Sequence, residues 1–279
     1  MRIYSEATES SSARYFALLY SPASQQIVLE ALFGVEREVL ESLRPGIDHQ
    51  VAHSRLKWWR EECERASEGR AVHPLTRTLV DTLKHTSPEA GSPGSALQGL
   101  SGFVDVAVWD LAGATFESRR ELTAYCERWA SAMIGPIVHS GPWQTVGAAM
   151  REVELLGDLA REAHHGRLRL PLNELDRAKA DPSVLASPPW PDAVAEIVRA
   201  RYRALRDEIA HALAEVDREQ QSTARGLLVW AALAWRLSQR AERALPDRVR
   251  RSGRFDAISD AWFAWRMARR ATMGRFRLS

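Results

Sequence analysis

At 279 residues with a net charge of +2, the chain carries 45% hydrophobic and 27% charged residues. That composition excludes a disordered polymer, and the charge is too small to argue for nucleic acid as a partner. Cys63 and Cys126 are the only cysteines, no apolar run approaches 18 residues, and Met1 is not followed by a charged segment and an apolar one. These features lead us to expect one domain over 1–279, in a reducing cytoplasm, neither secreted nor membrane-spanning.

Apolar residues recur at spacings of three and four almost throughout, and sustained alternation is missing, which predicts an all-α fold. A short helix over 13–20 stops at Ser21-Pro22. A longer one over 23–44 ends at Arg44-Pro45-Gly46, and a third over 49–68 closes at Gly69. Another follows over 74–85, and then "TSPEAGSPGSA" (86–96) reads as a loop rich in Pro, Gly and Ser. Helices over about 97–113, 118–139 and 143–165 precede a stretch broken by Pro171, Pro182, Pro188, Pro189 and Pro191. Two long helices over 192–216 and 218–244 lead to a last one over 255–271. Leu227 to Trp235 is apolar all round, which places that helix at the centre of a bundle.

The candidate chemistry lies in "LLGDLAREAHHGRLRLPLNEL" (155–175). Glu154, Asp158 and Glu162 recur every four residues and form one stripe on a helix. Two readings stay open from spacing alone: a solvated face interleaved with Arg151 and Arg161, or a set of carboxylates for a metal. Glu38 and Glu41 share a face of an earlier helix, where a surface ion-pair network is the favoured reading. His164 and His165 are adjacent and so do not face the same way, which speaks against a metal pair. Trp58 and Trp59 are expected to pack the core and its edge.

Three segments stand out, "LLGDLAREAHHGRLRLPLNEL" (155–175), "RLKWWREECER" (55–65) with His73-Pro74, and "ELTAYCERWA" (121–130), and together they resemble the squalene/phytoene synthase family over nearly the whole chain. Asp158, Glu162, Gly166, Arg167 and "LPLNEL" from Leu170 are similar to the family's second acidic motif. "RLKWWREECER" (55–65) with His73-Pro74 resembles its Trp-Trp-Arg-Glu helix, and "ELTAYCERWA" (121–130) its Tyr-Cys helix. The resemblance implies an all-α isoprenoid-synthase bundle around a central cavity. It also implies Mg²⁺ held by Glu154, Asp158 and Glu162, with Asp158 and Glu162 as the catalytic acids. An isoprenoid diphosphate or other long apolar ligand would lie against Arg37, Arg161, Arg167, Tyr15 and Phe16.

The first acidic motif departs from that pattern: Arg37 matches the family's Arg, but Leu40 and Glu41 stand on its Asp pair and Arg44 on its last Asp. In the second motif, Arg151 stands for a Gln, Glu154 for an Asn, Glu162 for an Asp and Arg169 for a Tyr. Together with the "WWRE" signature and the closing "AWFAWRMARRA", this is reminiscent of the family branch that includes a mitochondrial complex I assembly factor. The expected protein therefore binds an isoprenoid or other apolar ligand with weak or no prenyl transfer. The alternatives are an active Mg²⁺-dependent prenyl-diphosphate transferase and a non-catalytic assembly partner at a membrane.

Eleven arginines lie in the last forty residues against four acids, with Trp262, Phe263, Trp265 and Met267 among them. A basic C-terminal helix of this kind suits peripheral contact with the inner face of an anionic membrane. The spacing Ile258, Trp262, Trp265 instead favours packing in the core with an arginine-lined outer face.

Overall fold

The structure, a computed structural model, describes residues 12–86, 93–138, 141–247 and 254–278. Among them are helices and connecting turns and no strand. The chain runs α1 (Ala13–Tyr20), α2 (Ala23–Leu40), α3 (His49–Ser67), α4 (Pro74–Thr86), α5 (Pro93–Leu97), α6 (Gly102–Leu111) and α7 (Arg119–Ile134). It continues with α8 (Trp143–Gly157), α9 (Leu159–His164), α10 (Leu172–Arg177), α11 (Asp192–Ala214), α12 (Arg218–Thr223), α13 (Arg225–Ala244) and α14 (Arg254–Thr272).

Helix starts follow local chemistry. The Ser12 hydroxyl accepts from the Tyr15 amide to open α1, and the Asp48 carboxylate accepts from Gln50 and Val51 to open α3. α4 is capped from a distance: the buried Glu62 of α3 accepts from the backbone N–H groups of Val72 and His73, both at 2.9 Å, and from the Thr76 hydroxyl. The Trp59 ring lies 4.9 Å from that of His73. The "WWREE…HP" signature is thus a clasp between two helices. Trp59 is buried within it and Trp58 stands at its exposed edge.

Three long helices break where the periodicity predicts continuity. α2 tightens into a 3-10 turn over Glu41–Leu43. The 143–165 helix is interrupted at Gly157–Asp158, where Asp158 leaves the helical region at φ −100°, ψ 7°. The 218–244 helix breaks at Ala224, with φ −94°, ψ 17°. The predicted loop over 86–96 lies for the most part outside the described residues, and α5 begins at its end.

α13 runs through the middle, as its apolar character predicts, packing against α1, α8, α11 and α14. Leu227 through Ala234 are all buried, and the α1 contact depends on Gly226, whose missing Cβ leaves room for the Ser21 hydroxyl and the Ala17 carbonyl. At the centre, Trp230 meets Phe33 of α2 and Trp129 of α7 edge to face, at 5.5 and 6.0 Å between ring centroids.

α14 corrects an expectation. Its core face is Phe263, Ala264, Met267, Ala268 and Ala271, while Ile258, Trp262 and Trp265 are exposed. The helix is apolar on two sides, and the smaller residues are the ones that fit against α13.

Candidate functional site

α2 and its 3-10 extension face α8 and α9 across a cleft of about 850 Å³. Its lining holds seven arginines and six carboxylates, with Phe33, Leu40, Leu43, Leu155 and Leu237 supplying apolar surface. Glu41 lines it and Glu38 does not.

The floor is an ion network. Arg14 of α1 reaches between the facing helices, pairing with Glu36 of α2 and, at 3.0 Å, with Glu154 of α8. Arg151 pairs with the same two acids, at 3.0 Å to Glu154 and 4.0 Å to Glu36. Glu36 also accepts from the Trp129 indole N–H at 2.7 Å. Burial would raise the Glu36 carboxyl above the ordinary range, but Arg14 and Arg151 outweigh it and hold it below. The Arg14 guanidinium lies 5.4 to 5.6 Å from the rings of Phe33, Trp129 and Trp230, so the central aromatic cluster is capped by a cation belonging to the chain itself.

The second acidic stripe is neutralised in the same way. Glu162 accepts from Arg167 at 2.8 and 3.0 Å and from Arg169 at 2.8 and 3.1 Å. Arg169, itself buried, bridges onward to Asp110 at 2.7 Å, and Asp110 accepts from the Tyr125 hydroxyl at 3.1 Å. Burial pushes the Glu162 carboxyl up, and the hydrogen bonds and charges of Arg167 and Arg169 bring it down to about 2. Asp158 differs: partly exposed, it pairs with Arg161 at 2.5 Å, and burial together with Glu162 and Glu154 raises it above the ordinary value despite Arg161.

Bending at Asp158 keeps Glu154, Asp158 and Glu162 along one wall but assigns each to its own arginines. Among the described residues no three His, Cys, Asp or Glu side chains are grouped to hold a metal. The side chains present do not fit a Mg²⁺ cluster, because Glu36, Glu154 and Glu162 are each already paired with two guanidinium groups and Arg44 lines the same cleft.

Of the residues singled out in the sequence, Arg37, Glu154, Asp158, Arg161, Glu162 and Arg167 line this one cleft. Tyr15 and Phe16 do not: Phe16 is in the core, Tyr15 is at the surface, and α1 contributes Arg14 instead. His165 lines the cleft, with Nδ1 2.7 Å from the Arg161 carbonyl. Arg14, Glu36 and Asp110 escaped the sequence reading, and Tyr125 and Trp129, although within the "ELTAYCERWA" segment, were given no role in it. One signal was available: Glu36 keeps helical spacing with Leu29, Leu32 and Val39 and so falls on the apolar stripe of α2, where a charge requires a partner. Arg151, Glu154 and Arg169 are three of the members that build the network.

Residues 7–269 match the squalene/phytoene synthase family. A dehydrosqualene synthase solved in complex with a ligand superposes with a TM-score of 0.73 at 12% identity, covering 91% of this chain and 90% of that one. The squalene synthase HpnC from Alicyclobacillus acidocaldarius superposes at 0.64 with 18% identity, covering 82% and 87%. No curated protein matches. With the all-α bundle of these neighbours, and a family match over nearly its whole length, the chain belongs to the squalene/phytoene synthase family.

Proposed function

We propose that the protein uses this cleft to bind an amphiphile with an anionic head and a long apolar tail, a prenyl diphosphate or a similar isoprenoid, and that its prenyl-transfer activity is weak or absent. The observation that carries the reading is the pairing of Glu36, Glu154 and Glu162 with Arg14, Arg151, Arg167 and Arg169. Ionising an allylic diphosphate requires its departing charge to be neutralised, and carboxylates that already hold arginines offer Mg²⁺ few ligands. Arg37 and Arg44 are held only by ion pairs of 3.9 Å, and Arg161 pairs with the partly exposed Asp158, so these three are available to a diphosphate at the mouth. The cleft volume falls within the range of small-molecule sites. Such a ligand partitions into bilayers, which favours a protein that meets the inner face of a membrane within isoprenoid metabolism.

The reading is tested by incubating the protein with farnesyl or geranylgeranyl diphosphate and Mg²⁺ and measuring diphosphate release. We expect release no greater than that of the Asp158→Ala, Glu162→Ala double variant. Release well above it, with formation of a head-to-head condensation product, would establish an active transferase instead.

A further inference from the structure

α14 separates charge and surface type around its axis. Asp256 and Asp260 turn inward to α13, Asp260 pairing with Arg236 at 3.3 Å and with Arg240, which also lies 3.9 Å from Asp256. On the opposite side Ile258, Trp262, Trp265 and Met273 are 62%, 58%, 46% and 53% exposed. At 100° per residue these four fall within an arc of about 80°. Arg266 lies 5.5 Å over the Trp262 ring and Arg269 5.6 Å over that of Trp265. This outer face carries positive charge and aromatic rings and no acid.

The stripe leads into a pocket. After Met273 the chain turns at Gly274, with φ +63°, and packs against Arg218, whose Cβ would be 3.2 Å from a Cβ at that glycine. Phe276 then buries its ring, and its N–H donates to the Gln221 side-chain carbonyl at 2.9 Å. Pinned on either side of Phe276, Arg275 and Arg277 join Arg218 around a pocket of about 700 Å³ that also contains Leu213 and Leu278. Unlike the arginines of the cleft, these three make no ion pair with another described residue.

We propose that the outer face of α14 and this pocket dock the protein on an anionic lipid bilayer, with a lipid phosphate seated among Arg218, Arg275 and Arg277. Indole rings settle at headgroup depth, arginines beside them reach the phosphates, and a guanidinium cluster takes a phosphate by charge-assisted hydrogen bonds. A surface with aromatic rings and unopposed positive charge is complementary to such a bilayer. The proposal specifies the surface behind the membrane setting suggested above. None of its residues lines the cleft, so its failure and that of the cleft reading are distinguishable.

The test is flotation of the full chain with phosphatidylcholine vesicles with and without phosphatidylglycerol, at low and high salt. Flotation is expected only with the anionic vesicles and is expected to fall with salt. Arg275→Gln with Arg277→Gln should lower partitioning about 30-fold, the factor that about 1 kcal/mol per basic residue gives for two arginines. Arg269→Gln with Arg270→Gln, away from Phe276, should do the same, and Trp262→Ser with Trp265→Ser should abolish flotation without altering the melting curve. Equal flotation on neutral vesicles, no flotation, or indifference to all three variants overturns the proposal. It is equally overturned by a Trp262-dependent dimer without flotation, or by calorimetric binding of inorganic phosphate to the pocket without flotation.

Discussion

Arg14 and Arg151 share Glu36 and Glu154, two cations against two anions in the floor of the cleft. Removing the buried Glu36 leaves two partly buried guanidinium groups with a single carboxylate, and breaking a fully buried pair in this way costs about 3–5 kcal/mol, an upper bound here. Glu36→Gln, which keeps the shape and removes the charge, should lower stability by up to that amount in denaturant unfolding. A loss below about 1 kcal/mol would mean that the network is not holding the helices together. Glu162 sets the acid limit. Its carboxyl lies near 2 in the folded protein against an ordinary 4.5, so its stabilising contribution is complete above about pH 4.5 and is lost as pH falls toward 2. Unfolding followed from pH 6 to pH 2 should show that loss, and Glu162→Gln, less stable at neutral pH, should show less of it.

Helices α1, α3 and α11 were legible to within a few residues because each has one apolar stripe and a polar or proline stop. The breaks at Asp158 and Ala224 were not, since neither interrupts the apolar spacing. α14 was misread for a related reason: Ile258, Trp262 and Trp265 keep helical spacing as well as Phe263 and Met267 do, and periodicity cannot say which stripe faces inward. For the site, the acidic stripe and Arg37, Arg161 and Arg167 could be read from the motif. The partners Arg14, Glu36 and Asp110 could not, because they come from distant elements whose meeting only the fold determines. The α1–α13 crossing gives a further check. A Cβ at Gly226 would lie 1.9 Å from the Ser21 Oγ and 2.6 Å from the Ala17 carbonyl oxygen. Gly226→Ala should therefore destabilise by about 1–3 kcal/mol, and by more if α1 is displaced, lowering the melting temperature by several degrees. An unchanged melt would contradict the close packing of these helices.

For the whole molecule, the fold of a prenyl-condensing family encloses a cleft whose inner charges are balanced by the chain's own arginines. Trp129 and Tyr125, one turn apart on α7, each donate to an acid of that cleft. The acidic stripe of α8 and α9 and the Tyr-Cys helix thus converge on it, and the end of α2 contributes Arg37, Leu40 and Arg44 to its lining. In the proposed function, arginine takes the role a metal would have in holding an anionic head group. Binding of a farnesyl thiodiphosphate, whose carbon–sulfur bond resists ionisation, measured calorimetrically with Mg²⁺ and again with a chelator, tests it most directly. The same affinity is expected in both conditions, weakened about 10-fold or more by Arg37→Gln or Arg161→Gln. Binding that appears only with Mg²⁺ and vanishes in Asp158→Ala would contradict it.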